Sequence, residues 1–109
     1  YLINLDMIAD NNPVQYCEVS NEGMKGFSVF EKINAEKGYF KELHRGELAG
    51  NSDHYPFAQR NVPCIFLMNE DGDAFKFYHT VHDTWKNSIF TNYEPIFNII
   101  KDFIDKFAD

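Results

Sequence analysis

Cysteine is scarce in this chain, and positive charge is outweighed. The 109 residues hold only Cys17 and Cys64. Their spacing matches no zinc motif and is too sparse for a disulfide scaffold. Both are expected as free, core-facing thiols, the usual fate of unpaired cysteine; cysteine usage therefore leaves the compartment undecided. Ten Lys and Arg face seventeen Asp and Glu, a formal charge of −7. With no basic stripe and no face of aromatics interleaved with arginine, a nucleic-acid partner is not expected. No apolar run approaches the roughly 20 residues that a membrane helix needs. Nor is there a pattern of charged head, apolar run and small-residue cleavage site. Internal repeats and low-complexity stretches are lacking too.

What is present is apolar and aromatic. Hydrophobic residues make up 44% and aromatics 17%, with eleven phenylalanines, which places the chain among globular rather than disordered sequences. Residues 1–109 suffice for one domain with one core. The first residues, YLINLDMIAD, already read as a strand, without the polar lead-in common at domain ends. The expectation is a chain cut through or just before a core element.

The pattern alternates strands and helices. Tyr1 to Ile8 is apolar except for Asn4 and Asp6, as for a strand buried on both faces of a parallel sheet. VQYCEVS, 14–20, alternates as a second strand. Phe27, Phe30 and Ile33 lie at helical spacing, with Gly38 as the stop. YFKELHRGEL suggests a short strand running into a loop. Asp53 is placed to cap a short helix through Arg60, with Pro56 in its first turn. Cys64 to Met68 reads as a buried strand and FKFYHT as extended. From Tyr93 to Phe107, residues Ile96, Phe97, Ile99, Ile100, Phe103, Ile104 and Phe107 form one wide apolar stripe, with Asn92 or Thr91 as the cap. Strands alternating with helices imply an α/β fold with a mainly parallel sheet.

The candidate chemistry centres on few residues. NEDGDA begins like a calcium loop, but the twelfth position counted from Asn69 or Asp71 is Thr80 or His82, where the loop needs glutamate. An ordinary turn is expected. In FKFYHTVHDT, His79 and His82 follow an extended stretch and need not face one way; taken alone, His79 reads as a hydrogen-bonded structural histidine before a ligand. Asp83 and Thr84 suit a turn. Asp6 lies inside an apolar run, so it must be hydrogen-bonded, paired or on a metal. It also sits near the carboxyl end of its strand, where ligands gather in open parallel sheets. NSDH, 51–54, is either a helix cap or the lining of a cleft.

Three ordered blocks, NLDMI, SDHYPFAQRNVPCIFL and YHTVHDT, closely resemble the C-terminal half of the co-catalytic, leucine-aminopeptidase-type zinc peptidases. Glutaminyl cyclases and the transferrin receptor ectodomain are among that family's relatives. The resemblance runs from about Leu2 to the final helix. It implies the C-terminal portion of a three-layer α/β/α domain, with two zinc ions removing N-terminal residues from peptides. It further implies Asp6 as a ligand to one zinc and His79 as a ligand to the other, with Ser52 and Asp53 lining the substrate cleft. His54, Tyr55 and Phe57 match as well, as helix-packing residues. Relatives are often exported, which favours a periplasmic or extracellular setting.

The chain also departs from the family. The other ligands of the family come from a His-x-Asp motif, a bridging aspartate and a Glu-Glu pair, and neither His-x-Asp nor Glu-Glu occurs here. Where some members place an oxyanion-supporting tyrosine, this chain has Ala49, Gly50 and Asn51. About one protein ligand then remains for each zinc, against the usual three. The expectation is a fragment of a zinc aminopeptidase, inactive and weak in zinc binding by itself, that self-associates through a sheet edge or uncovered face. A cyclase fragment, a non-catalytic binding module, and a self-sufficient mononuclear site from Asp6, His79, His82 and His54 are the alternatives.

Overall fold

A computed structural model describes residues 1–108. Four strands form one sheet: β1 (Leu2–Leu5), β2 (Val14–Val19), β3 (Glu42–Gly46) and β4 (Cys64–Asn69), in the order β1-β4-β2-β3. The β1–β4 and β2–β3 pairs are parallel and the central β2–β4 pair is antiparallel. The mainly parallel α/β sheet is thus observed, with one reversal at its middle.

Helices α1 (Met24–Lys37) and α3 (Tyr93–Phe107) cover one face. Side chains alternate across a strand, so Cys17 and Val19 of β2 and Ile65 and Leu67 of β4 meet Phe27, Phe30, Ile33, Ile96, Ile99 and Phe103 in a single core. The rings of Phe30 and Phe103 stack at 4.1 Å, joining the two helices. Removing such a buried ring costs about 3–5 kcal/mol. Gly38 ends α1 in the left-handed region (φ 65°). The Asn34 side chain then brackets Phe40, accepting from its N–H (2.8 Å) and donating to its carbonyl (3.0 Å), which turns the chain into β3. Cys17 and Cys64 are both buried free thiols.

The opposite face carries the segment around the short helix α2 (Tyr55–Ala58) and, beside Phe66 and Met68, residues Phe75, Tyr78 and His79. Asp53 does not cap it. The first turn is closed by the Tyr55 N–H on the Ser52 carbonyl (3.2 Å), and His54 occupies the cap position with its ring buried. Asn92 similarly precedes α3 without a side-chain cap bond. Its amide turns inward instead, donating to the Asn12 carbonyl and to Asn69 Oδ1. Satisfying those buried acceptors outweighs a cap that backbone can provide.

Two further expectations are corrected. β1 is not buried on both faces: it is an edge strand of four residues, partly exposed, and Asp6 beyond it is exposed. FKFYHT is not extended; Phe75–Phe77 form a single 3-10 turn, continued by the Thr80 N–H and hydroxyl bonding back to the Phe77 carbonyl. The apolar stripe of α3 is wider than the sheet beneath it. Tyr93, Phe97 and Ile104 stay exposed and, with Leu5 and Ile8, open onto a groove of about 430 Å³ beside β1. No helix among the described residues is long and apolar enough to cross a membrane.

Candidate functional site

The site starts from strand register. On the face away from the core, Asn4 of β1 pairs with Phe66 of β4, and Phe66 pairs with Glu18 of β2. These three residues therefore form one row across three strands. Neighbouring strands lie ~4.8 Å apart, so Asn4 and Glu18 are separated by about two strand spacings. The imidazole of His54 fills that gap. It stacks on Phe66 (centroids 4.6 Å, interplanar angle 10°), and its Nε2 lies 3.1 Å from Glu18 Oε1 while Nδ1 lies 3.4 Å from Asn4 Nδ2. His54 and Glu18 are shut off from solvent, and Glu18 Oε1 also accepts from the Ala49 N–H at 2.7 Å. Hydrogen bonds therefore hold Glu18 Oε1 and both ring nitrogens of His54; removing one partner leaves a buried polar group unsatisfied, at a cost of about 1–3 kcal/mol or more.

Asp6 follows Asn4 by two residues and emerges on the same side. Its amide still donates to the Leu67 carbonyl (3.3 Å), which extends the strand to this point. Ser52 sits between the two side chains, accepting from Asn4 Nδ2 and donating to Asp6 Oδ2, each at 2.9 Å. The next residue, Met7, has φ 56° and turns the chain out of the sheet. The carboxylate is thereby left at the mouth of a cleft rather than inside the strand. An exposed aspartate needs no special partner to be tolerated, so its candidacy rests on its setting and not on a burial penalty.

That setting includes His79. A cleft of about 360 Å³ is lined by Asp6, Asn51, Phe66, Met68, Tyr78 and His79, among others. His79 is exposed, has φ 56°, and stacks its ring on Tyr78 (centroids 3.7 Å). The cleft lining thus includes two non-glycine residues in the left-handed region, Met7 and His79, which is uncommon and clusters at functional sites. Asp10 sets the approach to the His79 wall. It is buried, and its Oδ1 accepts from the Asn11 (2.8 Å) and Ala74 (3.1 Å) N–H groups, pinning the turn from which Phe75 to Tyr78 run.

The tertiary structure brings Asp6 and His79 to one cleft although they lie 73 positions apart in sequence. Ser52 contacts Asp6 directly, whereas Asp53 is exposed and Asn51 lines the cleft. A carboxylate oxygen and an imidazole nitrogen are donors that suit zinc. Two such donors do not complete a catalytic site, and among the described residues no three His, Cys, Asp or Glu side chains cluster as metal ligands. The mononuclear alternative is therefore not supported: His54 is buried with both ring nitrogens engaged, and His82 does not line the cleft. Cys17 is no candidate nucleophile either, since burial pushes its thiol up to about 12.

Glu18, Asn4 and Asp10 were not singled out by sequence. A charged residue in the alternating strand VQYCEVS was the available signal for Glu18; its partner His54, 36 positions away, was not readable.

A family model described as Peptidase family M28 matches residues 1–104. Searches of curated proteins and of solved structures gave no match.

Proposed function

Because the chain belongs to peptidase family M28, we propose that it is part of a zinc-dependent aminopeptidase and carries one protein ligand to each of two zinc ions, Asp6 and His79. The observation that supports this reading most directly is that both line one cleft. When bound, paired zinc ions supply a water activated at neutral pH and polarise the scissile carbonyl. Asp6 contributes a negatively charged oxygen, oriented by Ser52, and His79 a neutral imidazole on a fixed backbone. Asn51 and Tyr78 border the space that a peptide N-terminus would occupy. The acidic balance of the chain is neutral on this point.

Catalytic zinc generally has three protein ligands, so the remaining ligands and the general base are assigned to polypeptide outside residues 1–109. This makes the chain by itself inactive and a weak zinc binder. Calorimetric titration with zinc tests the assignment, repeated with Asp6→Ala and His79→Ala. Weak or absent binding by all three is expected. Tight stoichiometric binding abolished in either variant would mean that the site is complete within this chain, against the proposal. In a catalytic domain with its full ligand set, either substitution should lower kcat/KM on an aminoacyl anilide by more than the ~10–100-fold typical of outer-shell changes. A smaller loss would remove that residue from the ligand set.

A further inference from the structure

The row Glu18–His54–Asn4–Ser52–Asp6 has a direction. An ionised Glu18 can only accept, so the Nε2 of His54, 3.1 Å away, must carry a proton. In neutral imidazole the other nitrogen is then an acceptor, which matches the Asn4 amide nitrogen facing Nδ1. That NH2 group has two protons; the second goes to Ser52 Oγ. Having accepted from Asn4, the Ser52 hydroxyl has its own proton free for Asp6 Oδ2. Reversing any one member reverses the rest. Were Nδ1 protonated in place of Nε2, Asn4 would have to present its oxygen to His54. Ser52 would then donate to Asn4, and Asp6 would lose its donor.

We propose that His54 and Glu18 are positioning residues for Asp6: the buried carboxylate fixes the tautomer of His54, and that tautomer, through Asn4 and Ser52, aims the Ser52 proton at one oxygen of Asp6. The other oxygen is left for a metal ion, a consequence that rests on the ligand reading above. The placement is not incidental to packing. Two members, Asn4 and Glu18, are set by sheet register in a single row with Phe66, and the imidazole is held flat over Phe66 so that its two nitrogens reach both of them. A histidine needed only to fill space would not require a fully buried glutamate with a second donor, the Ala49 N–H, locking the same oxygen.

The test is NMR on the isotope-labelled 109-residue chain. In the wild type, long-range nitrogen–proton correlations should show His54 as the Nε2–H tautomer, and three-bond couplings should show Asp6 in one χ1 rotamer. In His54→Phe, which retains the stack on Phe66 but has neither nitrogen, Asp6 should average over rotamers as it should in Ser52→Ala. Glu18→Gln/His54→Phe, which leaves no bare carboxylate buried, answers the same question if the single variant does not fold. Ile33→Val, on the core face, serves as a control for general destabilisation and should leave Asp6 fixed. An Nδ1–H tautomer in the wild type overturns the proposal. So does an Asp6 that keeps its single rotamer when the His54 ring has been replaced. A zinc titration followed at the side chains of Asp6 and His79 separates the two readings. Apparent affinity about 10–100-fold weaker in the His54 variant supports both. Zinc that binds measurably yet moves neither side chain rejects the ligand reading, and in that case, as when binding is too weak to detect, the rotamer result alone decides the relay.

Discussion

Backbone strain at His79 can be weighed directly, because the structure separates it from side-chain effects. The residue has φ 56° and its side chain is exposed, touching chiefly the Tyr78 ring. Placing an L-residue in the left-handed region costs roughly 1–2 kcal/mol. Glycine escapes that cost but loses more conformational entropy on folding, ~0.5–1 kcal/mol relative to alanine. The comparison that isolates the backbone is His79→Gly against His79→Ala, since both remove the same stack on Tyr78. Glycine should be the more stable of the two by about 0.5–1 kcal/mol. With a urea m-value of ~1–3 kcal/mol/M, the midpoint should rise by about 0.2–1 M. Equilibrium urea denaturation followed by circular dichroism measures it. A glycine variant equal to or less stable than the alanine variant would refute the claim that this position is strained. The expected result would mean that the position giving up stability is the one carrying the proposed metal ligand, the usual form of a stability–function conflict.

Other outcomes follow from the same structure. Burial holds the Cys17 thiol protonated to about 12, above its ordinary 9.0. The unfolded chain therefore loses this proton first as pH rises, and stability should fall between pH 9 and 12 by up to ~1.4 kcal/mol per pH unit from this group. Denaturation midpoints measured from pH 8 upward should show that slope, and Cys17→Ala should flatten it by one proton's worth. Asp10→Ala leaves the Asn11 and Ala74 N–H groups without their acceptor; it should cost about 1–3 kcal/mol and raise amide exchange across residues 72–78. The exposed Leu5, Tyr93, Phe97 and Ile104 around the groove beside the edge strand should drive concentration-dependent self-association. Analytical ultracentrifugation checks this, with Phe97→Glu shifting the chain toward monomer; a clean monomer at all concentrations would count against it.

Local chemistry was readable from sequence, and partners distant in the chain were not. Helices α1 and α3 were legible because Phe27, Phe30 and Ile33, and Ile96, Ile99 and Phe103, recur at the spacing that brings them to one face, and Gly38 can take the left-handed stop. The buried strand β4 was legible because CIFLM has no polar residue to satisfy. Asp6 and His79 were named through short ordered motifs, whose information is local. That β1 would be an edge was not legible, since an apolar run states what must be buried and not how many neighbours will do it. Caps failed for the same reason: Asp53 and Asn92 have suitable side chains, but the stronger demand on Asn92 comes from Asn12 and Asn69, which only folding brings near. The relay beneath Asp6 is wholly tertiary. Its direction follows from the burial of Glu18, its reach from the spacing of three strands, and its planarity from Phe66. Those conditions exist only once the sheet has set its register.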